Sequence, residues 1–415
     1  MIEGKLIKFY REELELTQGQ LVKGICSVTH LSKIERNITE YSHDIIDLLA
    51  EKMGIIMEDE RSRYYLLQEK LADWNNSIIM NDSNEIHRLK SEIEKDSLRN
   101  LADFNMQYHL LLARYYIFLK DYPKAKKNLA IIKARYYSLN DYEKNLYRHV
   151  DGIYLFGIGS YNSCLETLKK IDENYPNLEY NYHLAVAYFL INSDIKAYYY
   201  GQKALKYFQK TLNLIRIVDI ENIILTLLHL KEPNSMDEIK QQYEKLLNVC
   251  KSINAVERES IIYGNLAFEY FRRKRYVEAK QAYERALEIA KEGDADYYRV
   301  LDGYISSCYE GKFLSKAELI NLSIKGLELA QQNKYLRGQI YFEMQLQKIR
   351  QNEKGFYQYI EKKALPFFSA CGDQIMKQHY EKKLFLYYMK SNQQEKAFLL
   401  SSDKMMSEIS YIDFE

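Results

Sequence analysis

Small side chains recur at a fixed spacing in residues 260–293, SIIYGNLAFEYFRRKRYVEAKQAYERALEIAKEG. One predicted helix of this segment carries Leu266 and Ala267, and the next carries Ala279 and Ala286. Small residues at these places let two antiparallel helices approach closely, while larger neighbours fill the remaining gaps. The segment therefore predicts a helical pair of about 34 residues, and a chain made of such pairs is helical throughout.

This spacing resembles the tetratricopeptide repeat (TPR). The same pattern can be laid on four other stretches, which are 106–136, 146–176, 180–210 and 378–410. Three stretches fit with shifted loops, and one more is a degenerate candidate: 216–250, 297–331, 335–370 and 63–98. We expect about eight to nine helix pairs, stacked into a right-handed TPR superhelix with a concave groove. The alternative is an irregular helical bundle without repeat symmetry.

The composition supports an all-α fold. The 415 residues include only 16 glycines and 4 prolines, which leaves few turns for an all-β architecture. With 47% hydrophobic residues, the chain has enough apolar side chains for a large core. No run of about 18 uncharged apolar residues occurs, and the N-terminal residues do not form the apolar core of a signal peptide. We therefore expect a cytoplasmic protein that is not membrane-bound.

Sequence motifs for catalysis and cofactor binding are absent. The eight histidines are scattered without an HExxH motif, and no P-loop, GxGxxG or GxSxG pattern occurs. The five cysteines are far apart and form no CxxC pair, which argues against a zinc finger or a disulfide scaffold. We expect no enzyme activity, no catalytic or metal-binding residue, and no cofactor.

Residues 1–60 follow a different pattern, with four short helical segments separated by turn residues. The segment 16–37, LTQGQLVKGICSVTHLSKIERN, resembles the helix-turn-helix of Xre/Cro-type repressors. The start of its first helix is expected to meet a DNA phosphate, and the exposed side of the second helix is expected to lie in the major groove. The predicted DNA-binding residues are Thr17, Gln18, Ser27, Val28, Thr29, Ser32, Lys33 and Arg36.

The charge of this segment is unusual for a DNA-binding domain. Residues 1–38 have six basic and five acidic groups, whereas residues 39–60 have one basic and seven acidic groups. DNA-binding domains are usually basic. The interpretation therefore requires the basic groups to lie together on the face of the two motif helices. The alternative is a helix-turn-helix that serves only as a protein-docking domain.

An Xre-type domain followed by a long TPR array resembles the RRNPP family of peptide-sensing regulators, and its PlcR- and NprR-like members in particular. The resemblance implies a helix-turn-helix domain at 1–60, a helical linker at 61–75, and an array at 76–415 for peptide binding and dimerisation. It also implies a double-stranded DNA operator, a short signalling peptide in the concave groove, and a homodimer. An apolar stripe near the C-terminus is a candidate dimer surface: Leu384, Phe385, Tyr387, Tyr388, Phe398 and Leu399.

Five polar residues are candidates for holding the peptide. An asparagine amide both donates and accepts hydrogen bonds, which suits an extended peptide backbone. Asn265 and Asn222 lie on successive predicted inner helices, and Glu269, Arg272 and Arg273 follow Asn265 by one or two turns. The alternative for each of them is an ordinary solvated side chain.

Three functions are compatible with this pattern. The leading one is a quorum-sensing transcription regulator controlled by the peptide. The second is a Rap- or NprR-like inhibitor, or a phosphatase-like modulator, of a phosphorelay response regulator, which would then be a further partner. The third is a TPR adaptor without a small ligand.

Overall fold

The structure is a computed structural model that describes residues 2–38, 42–231 and 235–400, apart from the side chains of 229–231. Within these ranges it contains helices and no strand. None of the helices described is long and apolar enough to cross a membrane. The chain divides into two compact units, Met1–Tyr154 and Leu155–Glu415.

The first unit begins with four short helices and continues with longer ones. They are α1 (Glu3–Glu13), α2 (Gln18–Val22), α3 (Val28–Glu35), α4 (His43–Lys52), α5 (Met57–Met80), α6 (Ser83–Lys95), α7 (Ala102–Phe118), α8 (Tyr122–Ala134) and α9 (Asp141–Gly157), whose last residues belong to the second unit. Thr17, Ser27 and Ser42 are N-cap residues, and each accepts a hydrogen bond from the backbone of the helix that follows.

One hydrophobic core runs through the first unit, from Leu6 on α1 to Tyr115 on α7. Helix α5 covers the whole of the segment 61–75 that the sequence suggested as a linker, and it buries Leu67, Leu71 and Trp74 in this core. The four N-terminal helices are therefore packed directly against the longer helices. The domain boundaries at residues 60 and 75 lie inside α5 and stay a proposal.

The second unit consists of successive antiparallel helices. They are α10 (Tyr161–Leu168), α11 (Tyr180–Leu190), α12 (Asp194–Lys210), α13 (Leu214–Lys231), α14 (Met236–Ser252), α15 (Val256–Arg272), α16 (Tyr276–Ile289), α17 (Ala295–Gly311), α18 (Lys316–Gln332), α19 (Leu336–Ile349), α20 (Glu353–Tyr359), α21 (Leu365–Cys371) and α22 (Gln374–Lys390). Residues 394–400 are also helical, and the remainder of the predicted pair at 378–410 lies outside the described residues.

The small residues predicted at helix contacts lie at those contacts. Ala267, Ala279 and Ala286 are fully buried where α15 packs against α16. In the pair α11 and α12, Ala197 and Ala204 are likewise fully buried. Side chains no larger than a methyl group let the paired helices approach, as the repeat pattern requires.

The helices of the second unit form two layers. Helices α11, α13, α15, α17 and α19 each pack against the next member of this series, in addition to their own pair partners. In the described residues, α12, α14, α16 and α18 approach one another less closely. The first series is therefore the inner layer of a curved array, and its free face is the concave one.

The turns between helices use few glycines. Several non-glycine residues have a φ of +53 to +61°, in the left-handed region, among them Lys274, Lys312, Lys334, Asn254 and Asn192. Asparagine tolerates this conformation, whereas lysine adopts it at a cost of about 1 kcal/mol. The surrounding helix pairs hold these residues in place, and the array can turn repeatedly although the chain has only 16 glycines.

Candidate functional site

Three polar side chains form a chain of hydrogen bonds across the inner layer of the second unit. Arg299 on α17 donates from Nη1 to Oδ1 of Asn265 on α15, over 3.2 Å. Asn265 in turn donates from Nδ2 to Oδ1 of Asn222 on α13, over 3.0 Å. We call these three residues the asparagine relay. The structure thus brings the two predicted asparagines together and adds an arginine that sequence analysis missed.

The repeat period of the sequence predicts the place of Arg299. It follows Asn265 by 34 positions, which is the spacing of the helix pairs. A residue one repeat further on occupies the equivalent place on the next inner helix. The 34-residue period therefore indicates Arg299 as the counterpart of Asn265, although its side chain is not an amide.

The other three predicted peptide-binding residues contact one another. The carboxylate of Glu269 is buried, with 2% of its side chain exposed, and it pairs with Arg272 at 2.7 Å and with Arg273. These ion pairs connect successive turns of α15. Glu269 therefore offsets one of the two positive charges, and the trio is a cluster of ion pairs on α15, one to two turns beyond Asn265.

A buried ionic cluster lies further along the inner layer, where α13 meets α15. Asp219 accepts hydrogen bonds from Arg216 and Arg258, each over 3.3 Å. The guanidinium of Arg216 lies 4.8 Å from the centre of the Tyr182 ring. Burial, followed by the charge of Asp219, raises the pKa of Tyr182 to about 12. This cluster ties three inner helices together, and the buried carboxylate of Glu179, 3.6 Å from Arg216, balances the second positive charge.

On the other side of the relay, Asp302 of α17 faces α19. Its carboxylate accepts a hydrogen bond from Nε2 of Gln345 over 2.7 Å, and the same nitrogen lies 2.7 Å from Oγ of Ser306. Burial raises the pKa of Asp302 to about 6. The inner layer therefore presents amide, guanidinium and carboxyl groups on four successive helices, which suits a ligand rich in backbone amides.

In the helix-turn-helix, several of the predicted DNA contacts also stabilise the motif. The hydroxyl groups of Thr17 and Ser27 cap α2 and α3, and Thr17 forms a capping box with Gln20. Gln18 donates from Nε2 to Glu35 over 2.8 Å. These side chains hold the start of each helix in place, and Thr17 and Ser27 are exposed.

The second motif helix presents its predicted recognition face to solvent. Val28, Thr29, Lys33 and Arg36 are exposed, and Ser32 is half-buried. The side chain of Arg36 donates to the backbone oxygen of Ser32 over 3.0 Å. The face thus combines hydroxyl groups, one apolar side chain and two cations, which is the mixture that reads base edges and phosphates in a major groove.

The free basic groups of the motif lie on this side. Among the residues that the structure describes, Lys23, Lys33 and Arg36 make no ion pair, whereas Lys5 pairs with Asp103 at 2.6 Å and Arg11 with Glu35 at 2.6 Å. The net charge of residues 1–60 is therefore a poor guide to the recognition face: Lys33 and Arg36 lie on α3 and at its end, and Lys23 lies in the turn before it, while the exposed Lys8 lies apart on α1.

Glu35 is a structural residue of the motif that sequence reasoning did not single out. It is 8% exposed and accepts hydrogen bonds from Arg11 on α1 and Gln18 on α2. One carboxylate thus ties α3 to both preceding helices. In the sequence, Glu35 is marked only by its position next to the apolar Ile34, which does not reveal that it binds Arg11 and Gln18.

The motif is also fixed to the longer helices of its unit. Arg63 on α5 pairs with Glu60 and Asp96, both at 2.8 Å, and donates to the hydroxyl of Tyr10 on α1 over 2.9 Å. Lys5 of α1 reaches Asp103 on α7. The orientation of the recognition helix is therefore set by the first helices that follow it.

Three of the six residues of the predicted dimer stripe belong to the protein's own core, whereas Phe385, Phe398 and Leu399 are exposed. Leu384 and Tyr388 are buried, and Tyr387 stacks on Tyr357 with ring centres 3.9 Å apart. These three residues are therefore not a free surface, because α22 turns them toward α20 and its neighbours. The exposed apolar side chains of α22 are Phe385, Leu386 and Met389.

Two known proteins are similar to this chain in sequence. The chain is 25% identical over 405 residues to "Transcriptional activator NprA" of Geobacillus stearothermophilus, covering 91% of this chain and 96% of that protein. It is 22% identical over 255 residues to "Response regulator aspartate phosphatase I" of Bacillus subtilis (strain 168), covering 57% of this chain and 64% of that protein. No family model matches the chain.

Solved structures share the fold. The crystal structure of NprR in complex with its cognate peptide NprX superposes with a TM-score of 0.69 at 21% identity, covering 82% of this chain and 99% of that chain. The all-helical fold class predicted from the sequence is confirmed. The chain is thus related to the RRNPP peptide-sensing regulators, and it has their TPR-like helical fold.

Proposed function

We propose that this chain is a quorum-sensing transcription regulator, which binds a DNA operator through α2 and α3 and is controlled by a short peptide on the inner layer of its second unit. The observation that carries this proposal is the pairing of two faces in one chain. One is an exposed helix with the unpaired cations Lys33 and Arg36, and the other is a concave layer bearing the asparagine relay.

The relatives support both halves of this proposal. The relative from Geobacillus stearothermophilus is named a transcriptional activator and matches nearly the whole chain. The NprR structure with the same helical fold holds its cognate peptide. We further infer that the protein acts without catalysis, in the cytoplasm, and as a homodimer, since one helix-turn-helix reads only half of a two-fold operator.

DNA selection tests the DNA-binding half. The full chain is incubated with a pool of DNA duplexes that carry a random 25-base-pair core, and bound duplexes are amplified and sequenced. We expect enrichment of related sequences by the wild type and little enrichment by the double variant Lys33→Ala, Arg36→Ala. The variant Lys8→Ala is the matched control, because Lys8 is an exposed lysine on α1. No enrichment by the wild type, or equal enrichment by the double variant, contradicts the proposal.

Control of a phosphorelay is the second candidate, and the similarity to a response regulator aspartate phosphatase favours it. A phosphorylated response regulator is incubated with the full chain, and the decay of its aspartyl phosphate is followed. A transcription regulator without this activity leaves the half-life unchanged. A half-life shortened several-fold would show that the second activity is present.

A further inference from the structure

The direction of the hydrogen bonds in the asparagine relay is fixed by chemistry. Arginine has N–H donors and no acceptor, so the side chain of Asn265 must turn its oxygen toward Arg299. The amide nitrogen of Asn265 then faces Asn222, whose oxygen accepts the bond. The amide nitrogen of Asn222 therefore points away from Asn265. Its two N–H groups have no acceptor among the described residues.

We propose that Arg299 is a positioning residue that sets the polarity of the peptide site, so that Asn265 and Asn222 offer N–H donors to backbone carbonyl oxygens of the bound peptide. This inference rests on the proposed function and names the ligand group that the relay recognises. A site with the opposite polarity would recognise peptide N–H groups instead. Asn222 is 9% exposed, so a peptide that covered its amide nitrogen without accepting a hydrogen bond from it would incur a substantial penalty.

The guanidinium of Arg299 is held in a defined place. A Cβ atom added at Gly264 would lie 3.3 Å from Nη2 of Arg299 and 3.2 Å from Cγ2 of Val300, so the glycine leaves room for the arginine. On its own helix, Arg299 lies 3.6 Å from the carboxylate of Asp296. The space beside Gly264 and the negative charge of Asp296 together hold the guanidinium so that one of its N–H groups points at the Asn265 oxygen.

The relay itself can be tested without any ligand. Arg299 and Asn222 lie on α17 and α13, with Asn265 of α15 between them. We therefore expect the effects of Arg299→Met and Asn222→Ala on the urea midpoint of the full chain to be non-additive. In an Asn265→Ala background the same two changes should be additive, because the connecting amide is gone. Additive effects in the wild-type background would overturn the relay.

Peptide binding tests the polarity. The probe is a synthetic pool of random octapeptides, and peptides retained by the full wild-type chain are identified by mass spectrometry and resynthesised. Asn222→Asp replaces the donor NH2 by an acceptor of the same shape, and we expect it to weaken binding at least ten-fold. Arg299→Met should weaken binding by about ten-fold, whereas Arg299→Lys, which keeps a donor, should retain most of it.

The results separate the two proposals. If the wild type retains peptides and Asn222→Asp binds them equally well or more tightly, the donor polarity is wrong. If Arg299→Met binds like the wild type, Arg299 does not position the asparagines. If the wild type retains no peptide, the proposed function fails, and the urea measurements still decide whether the relay exists. The exposed Arg285 supplies the control Arg285→Ala, which should behave as the wild type in every assay.

Discussion

Arg337 and Tyr161 are 176 positions apart in the chain, yet the guanidinium of Arg337 donates to the Tyr161 hydroxyl over 3.3 Å. The same guanidinium pairs with Asp373 at 2.7 Å and lies over the rings of Phe367 and Phe368. The first helix of the second unit is thereby joined to the segment that precedes α22.

A second contact connects the same parts of the unit. The side chain of Asn192, after α11, donates to Gln378 of α22 over 2.9 Å. Gly372 also lies close to Asn162, since a Cβ atom at Gly372 would be 2.6 Å from Cγ of Asn162. The second unit therefore closes on itself, with its first helices against its last.

Loss of Arg337 should open this closure. Asp373 has 3% of its side chain exposed, and Arg337→Ala leaves its buried carboxylate without a counter-charge. We expect a loss of about 3–5 kcal/mol in the free energy of unfolding. Urea denaturation measures the loss, and hydrogen exchange should increase in α10 and at the start of α22. Arg285→Ala is the control, and a variant as stable as the wild type would contradict the assigned closure.

Asp302 should make stability depend on pH. Burial raises its pKa in the folded protein from 3.8 to about 6, against the opposing effects of Gln345, Lys348 and Lys383. The folded state therefore holds this proton more tightly than the unfolded chain. The resulting stability is present below pH 3.8 and is lost as the pH rises through about 6.

Comparison with Asp302→Asn isolates this contribution, because the amide oxygen still accepts from Gln345. Between pH 4 and pH 7, the unfolding midpoint of the wild type should fall relative to that of the variant. His379 titrates in the same window with the opposite sign, since burial lowers its pKa to about 4, but it is present in both proteins. Parallel pH profiles would show that Asp302 is not perturbed in this way.

The cations of the recognition helix α3 should contribute to DNA affinity by contacting phosphates. Each phosphate contact that is removed lowers the dependence of DNA affinity on salt by about one unit of slope. We expect Lys33→Ala and Arg36→Ala together to reduce the slope by up to about two. Fluorescence anisotropy with a duplex enriched by the wild type, at several salt concentrations, measures it. An unchanged slope, with Lys8→Ala as reference, would place the DNA surface elsewhere.

Much of the fold was predictable because helix caps and small contact residues are local signals. Thr17, Ser27 and Ser42 mark helix starts by their own chemistry, and Ala267 and Ala279 mark the place where two helices meet. These features depend on neighbours within a few residues or one repeat. They can therefore be recognised in the sequence without knowledge of the rest of the fold.

The parts that were missed depend on burial or on contacts between distant residues. The partners of Glu269 are its own helix neighbours, so the buried pairing with Arg273 was overlooked only because burial is not visible in sequence. The closure by Arg337 joins residues separated by most of the unit, and no local pattern indicates it. Leu384 and Tyr388 were assigned to a surface because an apolar helix face does not reveal what covers it.

The exposed side of α22 remains the candidate dimer surface. Leu386 and Met389 are 58% and 48% exposed, and an apolar terminal face in a repeat array usually has a partner. We expect the wild type to sediment as a dimer and Leu386→Glu, Met389→Glu to sediment as a monomer of 49.5 kDa. A wild type that stays monomeric with and without DNA would refute the dimer. A double variant that is still dimeric would show that the interface lies outside this side of α22.

In the proposed function, a peptide on the inner layer controls DNA binding. The most direct measurement titrates a peptide, selected by the wild-type chain and resynthesised, into a complex of the full chain with its enriched duplex. We expect DNA affinity to change with peptide concentration in the wild type. In Asn265→Ala the same change should need at least about ten-fold more peptide, because a buried hydrogen bond is lost. A DNA affinity that does not respond to saturating peptide, or an identical response in Asn265→Ala, would contradict it.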